Sequence, residues 1–146
     1  MLSSWFSEKP ITKIGFEDIL YALKQPDRFL MINTLSSDSQ DVLIRNTVIA
    51  TKEEYLINNL LSSNKNDTHI ILYGRNSSDN STDKKFTQLV TLGFTNVVVY
   101  SGGLFEWILL QDIYGTSEFP TTSIVTDIIK YRPIGIFNTP LLHNAV

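Results

Sequence analysis

The sequence predicts a three-layer α/β/α domain built on a mostly parallel sheet of about five strands. Three observations carry this reading. Short, largely apolar runs of strand length recur at Phe29-Leu30-Met31-Ile32, His69-Ile70-Ile71-Leu72-Tyr73 and Asn96-Val97-Val98-Val99-Tyr100. Runs that do not alternate with polar residues belong to strands covered on both faces. Between them lie segments with apolar residues at helical spacing, and that succession gives parallel strands joined by helical crossovers. The chain has 146 residues, of which 42% are hydrophobic and 11% aromatic. That is the size and composition of one globular domain, able to hide about two-thirds of its unfolded surface.

The elements follow in order. Residues 1–10 read as a lead-in ending at Pro10. Phe16, Ile19, Leu20 and Leu23 fall at i, i+3, i+4 and i+7, which places them on one stripe of a helix over 16–24. Pro26-Asp27 stops it. The Phe29–Ile32 strand leads to a polar loop, Ser36 to Asp41, and then to a β-branched segment from Val42 to Ile49. Thr51 is the expected N-cap of the next helix, with Glu53 and Glu54 in its first turn, where the helix dipole favours carboxylates. Leu56, Ile57, Leu60 and Leu61 are its buried stripe, and Asn64 to Asp67 a turn. After the His69–Tyr73 strand comes a small, polar loop, Gly74-Arg75-Asn76-Ser77-Ser78-Asp79-Asn80-Ser81-Thr82. Thr82 or Asp83 is expected to cap a helix carrying Phe86, Leu89 and Val90 inward. Gly93 ends it, since a left-handed stop strains a residue without a Cβ least. The Asn96–Tyr100 strand, a turn at Ser101-Gly102-Gly103 and a helix from Leu104 to about Ile113 complete the regular part. The domain is therefore expected over 11–115. The segment 116–146 forms an extension too apolar for a free tail, packing on the domain or on a partner.

Composition excludes several chemistries. The chain contains no cysteine, which removes disulfides, thiolate metal sites and cysteine nucleophiles. No metal and no cofactor is expected. Twelve Lys/Arg against fifteen Asp/Glu give a net charge of −3, without the basic excess that a nucleic-acid binder directs at phosphates. No apolar run approaches the ~20 residues of a membrane span. The first residues lack a basic region followed by an apolar core, so no secretory signal is read and an intracellular, cytoplasmic protein is the default expectation.

Ligands of parallel α/β sheets bind at the carboxyl ends of strands, which singles out the loop from Gly74 to Thr82. A loop curling over a helix start turns backbone N–H groups inward, the arrangement of an anion cradle. Arg75, Lys84 and Lys85 favour an anion there, and Asp79 and Asp83 offset them. Asp79 and Asp83 have two readings, as an acid–base pair or as caps of the following helix. Ser77, Ser78 and Ser81 are the loop's hydroxyl nucleophiles, and each needs an adjacent base to attack. The two histidines do not serve that role. His69 stands at the opposite end of its strand, and His143 lies in the irregular tail.

The strand Ile70-Ile71-Leu72-Tyr73, its loop and helix, the segment Gly93-Phe94-Thr95-Asn96-Val97 and the run Gly102-Gly103-Leu104-Phe105-Glu106-Trp107 resemble the second half of a rhodanese-like domain. Order and spacing of the Gly-Phe-x-x-Val and Gly-Gly-x-x-x-Trp pieces both match. The first half is similar more loosely, through Ile11 to Leu23 and Leu30-Met31-Ile32-Asn33, so the resemblance covers roughly residues 11–113. The string from Phe105 to Gly115 also resembles a divergent branch of that family found in protists and large DNA viruses. The resemblance implies a rhodanese fold with Trp107 packed under the loop. It also implies a catalytic cysteine directly after the strand-final Tyr, and an arginine closing the loop. Here Gly74 stands at the cysteine and Ser81 near the arginine, while Asn33 and Leu35 replace the Asp and Arg of the first-half motif. Sulfur transfer, and the chemistry of the related cysteine phosphatases, both need that cysteine.

The expectation is thus a catalytically inactive homologue, a pseudoenzyme, working as a protein-binding or oligomerisation module. The surfaces in view are the loop, Trp5-Phe6 and the apolar extension. The alternatives are a sensor with weak small-anion binding, or a residual hydrolase or transferase using loop Ser and Asp.

Overall fold

A computed structural model of the chain describes residues 9–137. Trp5-Phe6, Leu141-Leu142 and His143 lie outside the described residues. The elements run β1 (Lys13–Ile14), α1 (Phe16–Leu23), β2 (Phe29–Asn33), β3 (Thr47–Val48), α2 (Ala50–Ser62), β4 (His69–Tyr73), α3 (Ser81–Thr91), β5 (Asn96–Tyr100) and α4 (Gly103–Tyr114). The five strands form one sheet in the order β1-β5-β4-β2-β3, and every pairing is parallel. The register sets Asn33 beside Tyr73 and Tyr73 beside Tyr100, so the carboxyl ends of β2, β4 and β5 finish level.

Side chains alternate across a strand, and here they feed two cores. Met31, Ile71, Tyr73 and Tyr100 face one side, with Ile19 and Ala22 of α1 and Leu104, Trp107 and Ile108 of α4. Ile32, Ile70, Leu72, Val97 and Val99 face the other, against Ile57 of α2 and Phe86 and Leu89 of α3. The sheet is thus the middle of three layers, buried on both faces, which is why its strands read as unbroken apolar runs.

Two caps differ from the sequence reading. Helix α2 begins at Ala50, with Ile49 rather than Thr51 at the N-cap position. Its first amide donates to Oε1 of Gln40 at 2.9 Å, so a residue ten positions upstream does the work of a local cap. Helix α3 begins at Ser81, ahead of Thr82 and Asp83, and the amide of Ser81 donates to Oδ1 of Asp79. Gly93, just past α3, has φ +112°.

Among the described residues the segment after α4 adds no strand or helix, yet it joins the first core. Phe119 and Tyr131 are both buried in it. The indole N–H of Trp107 donates to the Pro120 carbonyl at 3.1 Å, and the Gln111 amide donates to the Phe119 carbonyl at 2.7 Å. Thr121 forms an antiparallel bridge with Ile44.

Candidate functional site

The loop leaves β4 at Gly74 and re-enters regular structure at Ser81. Its centre is the carboxylate of Asp79. Oδ2 accepts from the Arg75 amide at 2.9 Å. Oδ1 accepts from the Ser81 amide at 2.9 Å and from the Ser81 hydroxyl at 2.6 Å. Burial alone would raise the pKa of Asp79, but these hydrogen bonds and the positive charge of Arg75 outweigh it and hold the carboxyl below its ordinary value. The Ser81 hydroxyl also lies 2.7 Å from Oγ1 of Thr34, the residue after β2. Asp79, Ser81 and Thr34 therefore form a chain of polar groups across the ends of two neighbouring strands.

A side chain at position 74 would have to displace two of its neighbours. A Cβ built on Gly74 would stand 2.6 Å from Oδ2 of Asp79 and 2.9 Å from Oγ1 of Thr34, closer than atoms of those kinds pack. The space that a side chain on β4's exit would occupy is filled by the carboxylate and the threonine.

The base of the loop is also tied to α4 and to the segment that follows it. The carbonyls of Gly74 and Arg75 accept from the amides of Leu104 and Phe105, each at 2.9 Å. These are amides of the first turn of α4, which a helix leaves without internal partners. Gly103 makes this approach possible. It sits at φ +71°, and a Cβ there would lie 2.9 Å from both the Asn76 amide nitrogen and the Gly74 carbonyl oxygen. The Gly-Gly motif thus has a local physical reason. Asn76 is buried; its amide donates to the Tyr131 carbonyl at 2.9 Å, and its own Oδ1 accepts from the Ser78 amide. Arg75 turns outward, with its guanidinium 4.7 Å from the centre of the Tyr131 ring and donating to the Lys130 carbonyl. Ser77, Ser78 and Asn80 are exposed at the tip.

The neighbouring strand end carries no charge. Asn33 is buried and forms a reciprocal amide pair with Gln40, at 2.9 and 2.8 Å, while its Oδ1 also accepts from the Leu35 amide. Leu35 packs into the first core. Tyr73 is fully buried, and its hydroxyl, pushed well up by desolvation, bonds Thr47 and the Ile44 amide. Tyr100 is also pushed well up, by burial first and then by the Glu106 carboxylate, to which it donates at 2.6 Å.

A polar recess of about 170 Å³ adjoins the loop, with Lys13, Asp79 and Asp83 in its wall. A larger cavity, about 430 Å³, is at the other end of the sheet, between α1 and the strand starts, with His69 and Asp18 in its lining. The histidine and the loop hydroxyls are thus on opposite ends. Among the described residues no group of acidic or histidine side chains is placed to hold a metal ion, and no helix is long and apolar enough to cross a membrane.

Sequence reasoning named the loop and Asp79, but not the role of Asp79 as its centre. It passed over Thr34, although Thr34 follows a strand end in a parallel sheet, which is the signal that could have found it. Gln40 and Tyr131 act through tertiary contacts that spacing does not reveal.

The family model described as a rhodanese-like domain matches residues 38–110, half of the chain. The chain belongs to the rhodanese-like domain family. Among solved structures it is similar in fold to the Alr3790 protein from Anabaena sp., at 24% identity over 80% of this chain and 97% of that one, with a TM-score of 0.56. The solution structure of the rhodanese-like domain from the same Anabaena protein is similar at 22% identity, covering 90% of each chain, TM-score 0.54. A thiosulfate sulfurtransferase from Pseudomonas aeruginosa is similar at 14% identity over 68% of this chain and 19% of that protein, TM-score 0.55. At these identities the likeness is one of fold. No curated protein matches the chain.

Proposed function

We propose that this chain is a catalytically inactive rhodanese-like domain, of the divergent kind that the Phe105–Gly115 string resembles, and that it works by binding protein through its surface. The observation that carries the reading is the Asp79 carboxylate standing where a nucleophile's side chain on residue 74 would have to be. The loop hydroxyls do not substitute for it. A carboxylate that already accepts three hydrogen bonds, with its pKa lowered, is a weak general base for Ser81.

The binding half of the reading rests on the extension. Phe119 and Tyr131 turn inward, whereas Ile134, Ile136 and Phe137 are 74, 89 and 83% exposed. Apolar side chains exposed this close together mark an interaction surface more than a solvated one, and a second copy of the chain is the partner to test first.

The experiment has two arms. Sedimentation velocity across a concentration series is expected to show self-association of wild type that is lost in an Ile134→Ser, Ile136→Ser, Phe137→Ser variant. Monomers in both would overturn the oligomer form of the reading. Cyanide–thiosulfate and aryl phosphate assays are expected to show no turnover. Wild-type turnover that disappears in Ser81→Ala would overturn the inactive assignment.

A further inference from the structure

We propose that Asp79 is the loop's built-in anion: its carboxylate occupies the cradle formed by the loop amides and bars that cradle to external oxyanions. The inference rests on the non-catalytic reading above and extends it from what the loop lacks to what it contains.

Three features support it together. The donors that converge inside the loop, the amides of Arg75 and Ser81 and the Ser81 hydroxyl, all end on one carboxylate. Gly74 supplies the space, since a Cβ there would stand 2.6 Å from the carboxylate oxygen and push it out of its present place. The one arginine of the loop, the cation best suited to clamp an incoming oxyanion, is committed elsewhere, to the Lys130 carbonyl and the Tyr131 ring.

Charge points the same way. In the recess beside the loop Lys13 faces two carboxylates, Asp79 and Asp83, so an oxyanion entering there meets a net negative wall. A ligand tethered four residues from its donor also acts at an effective concentration of about millimolar or more, which a free anion has to exceed. The loop keeps its curled shape without a ligand because it brings its own.

The test is a sulfate titration at constant ionic strength, followed by melting temperature and by the backbone amide signals of Arg75 and Ser81, on wild type, Asp79→Ala and Asp79→Asn. Wild type is expected to show no saturable response in either readout. Asp79→Ala is expected to melt lower in the absence of sulfate and to recover with a saturable shift in the millimolar range, at least about tenfold below any response of wild type. Asp79→Asn, which keeps the shape and removes the charge, covers the case in which the alanine variant does not fold, and is expected to respond between the two. Saturable movement of the Arg75 and Ser81 amides in wild type overturns the proposal, as does the absence of binding in both folded variants. Turnover by wild type would overturn the inactive assignment instead, whatever the titration shows, so the two failures are distinct.

Discussion

The loop 74–80 and the segment 119–131 are both irregular, and different contacts dominate in each. The loop is held by polar contacts, short-range ones from residue 75 to 79 and 79 to 81 around a carboxylate and longer ones to the first turn of α4 and to Thr34. The segment is fixed by long-range aromatic burial. Phe119 packs 4.9 Å from the Trp107 ring centre, 5.7 Å from Phe16 and 5.9 Å from Tyr114. They meet where Arg75 and Asn76 donate to the carbonyls of Lys130 and Tyr131. The difference teaches where the chemistry has gone. The amides of Arg75 and Ser81 end on the loop's own carboxylate, whereas the extension turns Phe119 and Tyr131 inward and leaves Ile134, Ile136 and Phe137 exposed.

Variants can break this comparison at different depths. Phe119→Ala removes the hub of three ring contacts from a side chain that is only 4% exposed, and is expected to cost about 3–5 kcal/mol in denaturant unfolding. A loss within about 0.5 kcal/mol, the range of ordinary surface changes, would mean that the extension is not part of the core. Gly103→Ala places a Cβ against the Asn76 backbone at a positive φ and is expected to cost about 1–3 kcal/mol, with the largest hydrogen-exchange change at Leu104 and Phe105, whose amides hold the loop.

A smaller effect is expected from Asp79→Asn, and it is pH-dependent. Because the folded-state pKa lies below the ordinary carboxylate value of 3.8, the contribution of Asp79 is present above that value and is lost as pH falls through the folded one. The stability gap between wild type and variant should therefore be constant near neutrality and close in acid. The smallest effect belongs to Tyr131→Phe. The Tyr131 hydroxyl is buried and has no hydrogen-bond partner among the described residues. Losing it is expected to be neutral or to raise stability by up to about 1 kcal/mol. A clear loss would reveal a partner for that hydroxyl.

The sequence made the layers legible because each rests on a local pattern. The bounds of β4 and β5 coincide with two of the apolar runs, His69–Tyr73 and Asn96–Tyr100. The α1 stripe of Phe16, Ile19, Leu20 and Leu23 faces the first core. Positions whose partner is far along the chain were not legible. Gln40 caps α2 across a gap no local motif spans, and Leu43 accepts from Thr122 and donates to its hydroxyl, 79 residues away. The absent cysteine was plain from composition, and its slot at Gly74 followed from the resemblance to the rhodanese-like pattern, in which a cysteine comes after the strand-final Tyr. That Asp79 fills the slot was not, because an aspartate two residues before a serine at a helix start reads equally as a cap. Here it caps Ser81 and reaches back to Arg75 with its other oxygen.

The central claim is that one carboxylate holds the loop from within. The most direct test is an NMR titration of wild type that follows the Asp79 carboxyl carbon together with the amide protons of Arg75 and Ser81. The account predicts that Asp79 titrates below the ordinary carboxylate range and that both amides shift in step with it. An Asp79 that titrates at or above that range, with the two amides unmoved, would contradict it.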